Sequence, residues 1–404
     1  MNVARLALAR ARASRLRPVT WLACCAATFA ACAVSDPPRA SDDPPNTQPL
    51  PSQRDASAPA DASADGCTDS NGCTAVVDCT TVDFCATPLP VSRLVALNAI
   101  WGSGPDDVWA VGSRGTILHG DGSTFVAIDS KTVADVHVAV WGTSKTDIWI
   151  LGPSFPAHSD GFRDGGADFD PRPGSSWTPA QATSGRLWAG QSVGDRVWIA
   201  GEASRRFGPS SSVWTLDDDG SGSAAWTPSA ACSEDAPCAP AIRAMWAASA
   251  ELVWAVGHDG QAFSFDGATG GDAGPARWLA QNSNTRDDLK AVWGSGPSDV
   301  WAVGRRGTIR RTSRGATKWT VVPSGTTRDL HAIWGSGPND IWAAGDSGTI
   351  LHYDGVTWAK ATLGLPSGDS PTNLLAIWGS GPDDVWIVGE GLILHRTASS
   401  RRRP

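Results

Sequence analysis

Charge is scarce in this 404-residue chain: Asp, Glu, Lys and Arg make up 18% of it, against 41% apolar residues. What charge there is leans acidic, with a formal net of −8. Five arginines (Arg5, Arg10, Arg12, Arg15, Arg17) precede residue 18, and no acidic residue occurs among the first 31. Without that segment 28 basic side chains face 41 acidic ones, a net of −13. Such a surface repels a phosphate backbone, so nucleic acid is not expected as a partner. Catalytic signatures are missing as well. There is no G-x-S-x-G, no H-E-x-x-H and no Walker-type phosphate loop, and the sole tyrosine is Tyr353. Neither a cofactor nor a metal is expected. The cleanest copy of the repeated unit, Leu330 to Trp358, also nowhere shows an apolar residue every three or four positions, which argues against an array of amphipathic helices.

Residues 1–31 read as a signal peptide: the basic stretch leads into the apolar run Val19 to Ala31, too short to span a bilayer. The run ends Phe29-Ala30-Ala31-Cys32, which resembles a bacterial lipobox with Phe29 where leucine is usual. Cys32 is therefore the expected lipidation site; the bland alternative is a plain secretory signal with an incidental Cys32. Residues 32–66 continue as Pro, Ser, Ala and Asp with scarcely a large apolar side chain, a composition that cannot offset the entropy of ordering. They form a tether that holds a folded body off a membrane surface. The expected location is outside the cytoplasm, lipid-anchored at the outer membrane or cell envelope.

Cysteine usage fits an oxidising compartment. In the Cys-rich segment 67–85, Cys67, Cys73, Cys79 and Cys85 recur every six residues, and Cys232 and Cys238 repeat that spacing. With Cys32 acylated, six remain for three disulfides. Three pairings of the first four are open. A four-thiolate metal site is the competing reading, although the C-x2-C knuckles favoured by zinc are missing.

One unit recurs seven times, with a leading tryptophan at Trp101, Trp141, Trp188, Trp246, Trp293, Trp334 and Trp378. A period of 40 to 58 residues points to a repeat architecture, and short apolar runs between turn residues point to strands. Strand A is of the type Leu-x-Ala-Ile-Trp-Gly, strand B Asp-Ile-Trp-Ala-Ala-Gly, strand C Gly-Thr-Ile-Leu-His, and strand D starts at a tryptophan such as Trp358. Ser-Gly-Pro-Asp/Asn-Asp joins A to B. Asp-Gly, the two-residue hairpin signal, joins C to D at Asp121-Gly122, Asp160-Gly161, Asp266-Gly267 and Asp354-Gly355. The fold class is all-β: a seven-bladed β-propeller of four-stranded antiparallel blades over residues 84–397, with a basic tail at 398–404. The seventh unit stops after strand C. Phe84 lies 17 residues before Trp101, so Phe84-Cys85-Ala86-Thr87 is expected to supply the missing outer strand and close the ring.

Twenty of the 21 tryptophans fall within the repeats. Because they recur at fixed strand positions, packing between blades explains them better than a carbohydrate platform does. His119, His158, His352 and His395 end strand C of different blades and so cannot converge on one ion. The Asp before strand B (Asp107, Asp147, Asp299, Asp340, Asp384) reads as a turn residue. Asp217-Asp218-Asp219-Gly220 has a calcium-loop flavour without the distal Glu.

The unit resembles bacterial neuraminidase-type and photosystem II assembly-factor-like propeller repeats, above all in GTILH-x-DG-x-x-W (Gly348 to Trp358). The WGSGPDDVWAVG portion looks like repeats of exported proteins from large-genome soil bacteria. The sialidase Asp box is not intact, and the arginine triad and tyrosine nucleophile of sialidases have no counterparts. The resemblance implies blades rather than chemistry. The expectation is a monomeric binding or scaffolding module, not an enzyme, with a protein or glycan partner at the envelope; the alternative is a glycan-acting hydrolase or lyase. The candidate binding face is Glu202, Arg205 and Arg206, in an enlarged B–C connection that should neighbour the Cys232/Cys238 loop.

The anchor gives the first test. Cys32→Ser should move the protein from the detergent-extracted membrane fraction to the soluble exported fraction, because the acyl chains supply the membrane affinity. Unchanged fractionation removes the anchor.

Overall fold

The computed structural model describes residues 78–129, 136–170, 186–202, 212–217, 225–229, 241–267, 277–366 and 369–397. Cys32, Cys67, Cys73, Arg205, Arg206, Cys232, Cys238, the leader, the tether and the basic tail lie outside these residues.

The innermost strands are Leu97–Gly104, Ala139–Ser144, Leu187–Val193, Ile242–Ser249, Leu289–Gly296, Leu330–Gly337 and Leu374–Gly381. Each touches the next, and the last touches the first, so the seven blades close a ring. Each leads antiparallel into a B strand and then a C strand, as in Leu289–Gly296, Asp299–Gly304 and Ile309–Thr312. Five sheets have four strands. The second blade has three among the described residues, Ala139–Ser144, Asp147–Leu151 and Pro156–Ser159. The seventh has five: Phe84–Thr87 lies antiparallel to Leu392–Arg396 with Cys85 opposite His395, and Leu363–Gly364 covers its outer edge in parallel. The chain's two distant segments thus share one sheet, and the Cys79–Cys85 disulfide sits at that closure.

Two rings of contacts join the blades. In the outer ring, the buried B-strand tryptophan of one blade meets an aromatic side chain at the outer strand of the next. Trp109 meets Phe169, Trp149 meets Trp226, Trp198 meets Trp278, Trp301 meets Trp358 and Trp386 meets Phe125, with centroids 5.2–6.3 Å apart. Trp254 and Trp319 share one core cluster. Phe84 completes the set at 5.1 Å from Trp342, and is fully buried. Truncating any of these indoles to Ala should cost about 3–5 kcal/mol.

The inner ring is tryptophan on glycine. The A-strand indoles Trp101, Trp141, Trp246, Trp293, Trp334 and Trp378 lie over Gly142, Gly190, Gly294, Gly335, Gly379 and Gly102 of the following blade, where a Cβ would meet the ring at 2.3–2.8 Å. The third blade departs from this. Trp198 there pairs with Gln191, whereas Trp109 pairs with Trp101, so Gln191 and not Trp188 holds the repeat position. Trp188 sits three residues earlier; the two-residue turn Gly194-Asp195 lacks the bulge of the other A–B turns, and this shorter link disguised the register. With no indole overhead, the next blade carries Ala247 in place of glycine, and its N–H donates to Gln191 Oε1 at 2.9 Å.

The C–D turns also differ from expectation. Gly120 pairs with Phe125 and Tyr353 with Trp358, so the loops hold four residues, not two. Asp121 Oδ1 accepts from the N–H groups of Ser123 and Thr124, a local bond that builds the longer turn while Gly122 supplies φ +89°.

Gln191→Trp alone should destabilise the ring, because the new indole meets the Ala247 methyl. Adding Ala247→Gly should recover at least about 1 kcal/mol in a urea-unfolding double-mutant cycle. Additive effects would show that the indole-on-glycine contact does not set this position.

Candidate functional site

The Asp before strand B proves to be more than a turn residue. Asp107 Oδ2 accepts from Ser103 Oγ, while Oδ1 accepts from Trp109 Nε1 and bonds His119 Nε2 at 3.1 and 2.9 Å. The histidine in turn packs against the indole. Asp147 repeats this with Thr143, Trp149 and His158, and Asp340 and Asp384 bond His352 and His395 at 2.7 Å. In the fifth blade Arg311 replaces the histidine, bonding Asp299 at 2.7 Å and covering Trp301. Burial pushes the Asp107 carboxyl up, but the bonds from His119 and Ser103 outweigh it and hold it below its ordinary value; Asp384 behaves alike. The four histidines are therefore spent in separate blades on packing, as their alignment predicts. Among the described residues no group of His, Cys, Asp or Glu is placed to hold a metal. Tyr353 is buried and donates to the Gly355 carbonyl.

The third and fourth blades have lost this network. Arg196 and Leu252 stand in the Asp position, and Thr215 and Ser264 stand opposite the tryptophan in the His position. Trp198 Nε1 and Trp254 Nε1 have no acceptor among the described residues; Trp342 Nε1 and Trp386 Nε1 also lack one, although Asp340 and Asp384 stand beside them. A structural rule kept elsewhere is relaxed in two adjacent blades.

The same blades depart on the face formed by the B–C and D–A connections. At the start of strand A a bulge inserts one residue, seen as a register shift between Leu97/Ala99, Ile242/Ala244, Leu289/Ala291, Leu330/Ala332 and Leu374/Ala376. Bulges re-aim a side chain. The bulge residues are Asn98, Trp188, Arg243, Lys290, His331 and Leu375. From the fourth blade to the sixth they join a polar chain. Arg243 Nε donates to His258 Nε2 at 2.9 Å, leaving the His258 Nδ1 proton for Asp288 at 3.4 Å. Lys290 pairs with Asp329 at 2.9 Å and donates to His331 Nδ1, whose Nε2–H reaches Asp346 at 2.6 Å. Burial raises the Asp288 and Asp329 carboxyls, but bonds from the Asp259 and Arg306 N–H groups and the neighbouring cations leave both lowered.

Trp188 lies beneath two cations, with the Arg243 guanidinium 3.8 Å and the Arg186 guanidinium 4.9 Å from its ring centre. Burial lowers the Arg243 pKa; the Asp288 and Glu202 carboxylates oppose that shift, and repulsion from Arg186 adds a smaller amount to it. Glu202 is exposed at the edge of this group, and it pairs with Ala241 in an antiparallel bridge. The start of the enlarged B–C connection and the end of the Cys232/Cys238 loop are therefore neighbours. None of Trp188, Arg243, Lys290 or His331 was singled out as a site from the sequence, although one signal was present: the position three before the ring tryptophan changes in every repeat while its flanks persist.

No known family profile matches the chain, and no curated protein matches it. Solved propellers share its fold. YCF48 from Cyanidioschyzon merolae superposes with a TM-score of 0.56 at 16% identity, covering 78% of this chain and 99% of that one. YCF48 bound to D1 peptide gives 0.57 at 17%, covering 82% and 100%. The WD40 β-propeller domain of Doa1 gives 0.56 at 10%, covering 78% and 97%. At these identities the likeness is one of fold, and it agrees with the assembly-factor-like resemblance of the repeats.

One buried titratable group stands apart. His137 holds the place that Leu97, Leu187, Leu289, Leu330 and Leu374 hold in other blades, four residues before the ring position. It is 1% exposed, neither ring nitrogen has a partner among the described residues, and burial lowers its pKa to about 4. The unfolded chain, with a His pKa near 6.5, binds this proton first, so stability falls as pH drops from about 6.5 to about 4, by roughly 3 kcal/mol in all. His137→Leu should stabilise the protein and flatten denaturant midpoints between pH 4 and 6.5. An unaltered pH slope would mean that His137 is not buried neutral.

Proposed function

We propose that this chain is a non-catalytic binding module, exported and tethered at the cell envelope through a lipid on Cys32, whose propeller takes a polypeptide partner on the face of the B–C and D–A connections. One observation carries the reading: on a scaffold repeated seven times, the re-aimed bulge residues become Trp188, Arg243, Lys290 and His331 in four consecutive blades. Structural demand does not explain the change, because Asn98 and Leu375 fill the same position elsewhere. A rigid ring that presents varied side chains from fixed strands is suited to recognition, since little ordering entropy is lost on binding. A polypeptide is favoured because a propeller of the same fold is solved with a peptide bound. Glu202 lies on the same face, and Arg205 and Arg206, which lie outside the described residues, are proposed to belong to the site with it.

The test is capture from envelope extracts by the wild-type chain and by the Arg205→Ala/Arg206→Ala variant, run beside a glycan-cleavage screen. The wild type should retain a protein partner, and the double variant should retain several-fold less at unchanged thermal stability. Full capture by the variant removes those two arginines from the site. Sugar release by the purified wild type would replace this reading with that of a glycan-acting hydrolase or lyase.

A further inference from the structure

We infer that the inner rim between the third and fourth blades binds an oxyanion, held by Arg186, Arg243 and the indole N–H of Trp188. The inference deepens the binding-module reading and rests on it for the identity of the partner alone.

In the fifth, sixth and seventh blades the residue before the first Leu of strand A supplies an acceptor to the B–C turn of the preceding blade. Asp288 accepts from the Asp259 N–H at 3.0 Å, Asp329 from Arg306 at 2.9 Å and Asn373 from Ser347 at 3.1 Å. In the third blade that residue is Arg186, so an acceptor has become a cation; in the fourth it is Ala241. The bulge residues then differ in how their charge is met. Lys290 has Asp329 at 2.9 Å. Arg243 spends Nε on a histidine, and among the described residues its Nη atoms donate no hydrogen bond and no carboxylate lies within ion-pair distance of it or of Arg186. Trp188 Nε1 is buried and has no acceptor among the described residues.

Two guanidiniums are thus brought to one indole although they repel each other, and the more buried of them is poorly solvated. The indole attracts each cation, and Asp288 and Glu202 attract Arg243 from beyond ion-pair distance, but neither carboxylate bonds its Nη groups. Free guanidinium N–H groups beside an unmatched indole N–H are donors in want of an acceptor that carries negative charge. A carboxylate, sulfate or phosphate oxygen meets both needs, and a guanidinium fork fits any of them. Glu202 forms no ion pair with either arginine among the described residues, yet its charge attracts Arg243 and biases the rim against a second anion.

Equilibrium dialysis at constant ionic strength in chloride, with radiolabelled sulfate in one arm and radiolabelled acetate in the other, reads the site directly. Wild type should bind about one equivalent, and Arg243→Gln or Arg186→Gln should weaken binding by about tenfold, the value of one charge-assisted hydrogen bond. Trp188→Phe keeps an aromatic ring beneath the cations but removes the pyrrole ring with its N–H, so it should weaken binding a few-fold with the fold intact, even if an arginine variant fails to fold. Arg163→Gln, on the opposite face, should bind like wild type. Saturation by acetate assigns the group to a carboxylate, and saturation by sulfate alone assigns it to a tetrahedral anion. No saturable binding in either arm, or binding unchanged in Trp188→Phe and both arginine variants, overturns the inference. The outcome is separable from the module reading, because partner capture by a chain that binds neither anion would discard this subsite and leave the module standing.

Discussion

The contact on which the rest of this structure depends is the buried indole of each B strand set against an aromatic side chain of the following blade. It is made at every seam, and at six of them each blade supplies its part from within its own repeat. At the last seam the aromatic comes from Phe84, outside the repeats as the chain is read. Closure is therefore more than a strand added to an edge. The hydrogen bonds of Phe84–Thr87 satisfy the backbone of Leu392–Arg396, and the fully buried Phe84 ring supplies the aromatic contact to Trp342 between the sixth and seventh blades. The Cys79–Cys85 bridge and the pairing of Asp83 with Thr362 hold that segment in place from outside.

Against this requirement the polar network around Asp107 and its equivalents is a secondary device. It fixes the indole's tilt by bonding Nε1 and gives the histidine a partner. It is absent in the third and fourth blades, and in the sixth and seventh the Trp342 and Trp386 N–H groups are unmatched even where it is present; each unmatched N–H costs about 1–3 kcal/mol, less than the packing of the same rings contributes. Two blades can relax the polar rule without opening the ring, because the apolar contact persists through Trp198 against Trp278 and Trp254 with Trp319. The Gln191/Ala247 pair shows the same tolerance in the inner ring: both partners change together, and a hydrogen bond stands in for an aromatic contact.

Most of the scaffold was legible in the sequence because propeller grammar is written in residues with few uses. Asp-Ile-Trp-Ala-Ala-Gly can hardly be anything but a buried strand, and the missing fourth strand of the seventh unit pointed to Phe84. What was not legible depended on register. Trp188 resembles a repeat tryptophan by residue type, and only the pairing of Trp198 with Gln191 reveals that it belongs three positions earlier. The Asp of strand B looked like a turn residue because its partners, a serine four residues before and a histidine 11 or 12 residues after, meet only when three strands lie side by side. The site suffered most. A bulge residue carries no composition signal, and Arg243, Lys290 and His331 read as ordinary polar residues until the ring sets them on one face.

That the variation falls in adjacent blades follows from the mechanics of a ring. Every seam must carry its share of apolar contact, so a blade that gives up polar fixation is best placed beside another that has done the same, where one softened seam serves both. The third and fourth blades meet this condition. They share the Gln191/Ala247 seam, they flank the Glu202–Ala241 bridge, and the enlarged connections emerge there. Stiff blades on either side, with Asp147 and Asp299 networks complete, hold the relaxed pair in register. Recognition then needs no hinge. The bulge fixes where Trp188 and Arg243 sit, the flanking blades fix where the bulge sits, and the side chains are free to differ because nothing in the ring's packing requires them to be any particular residue.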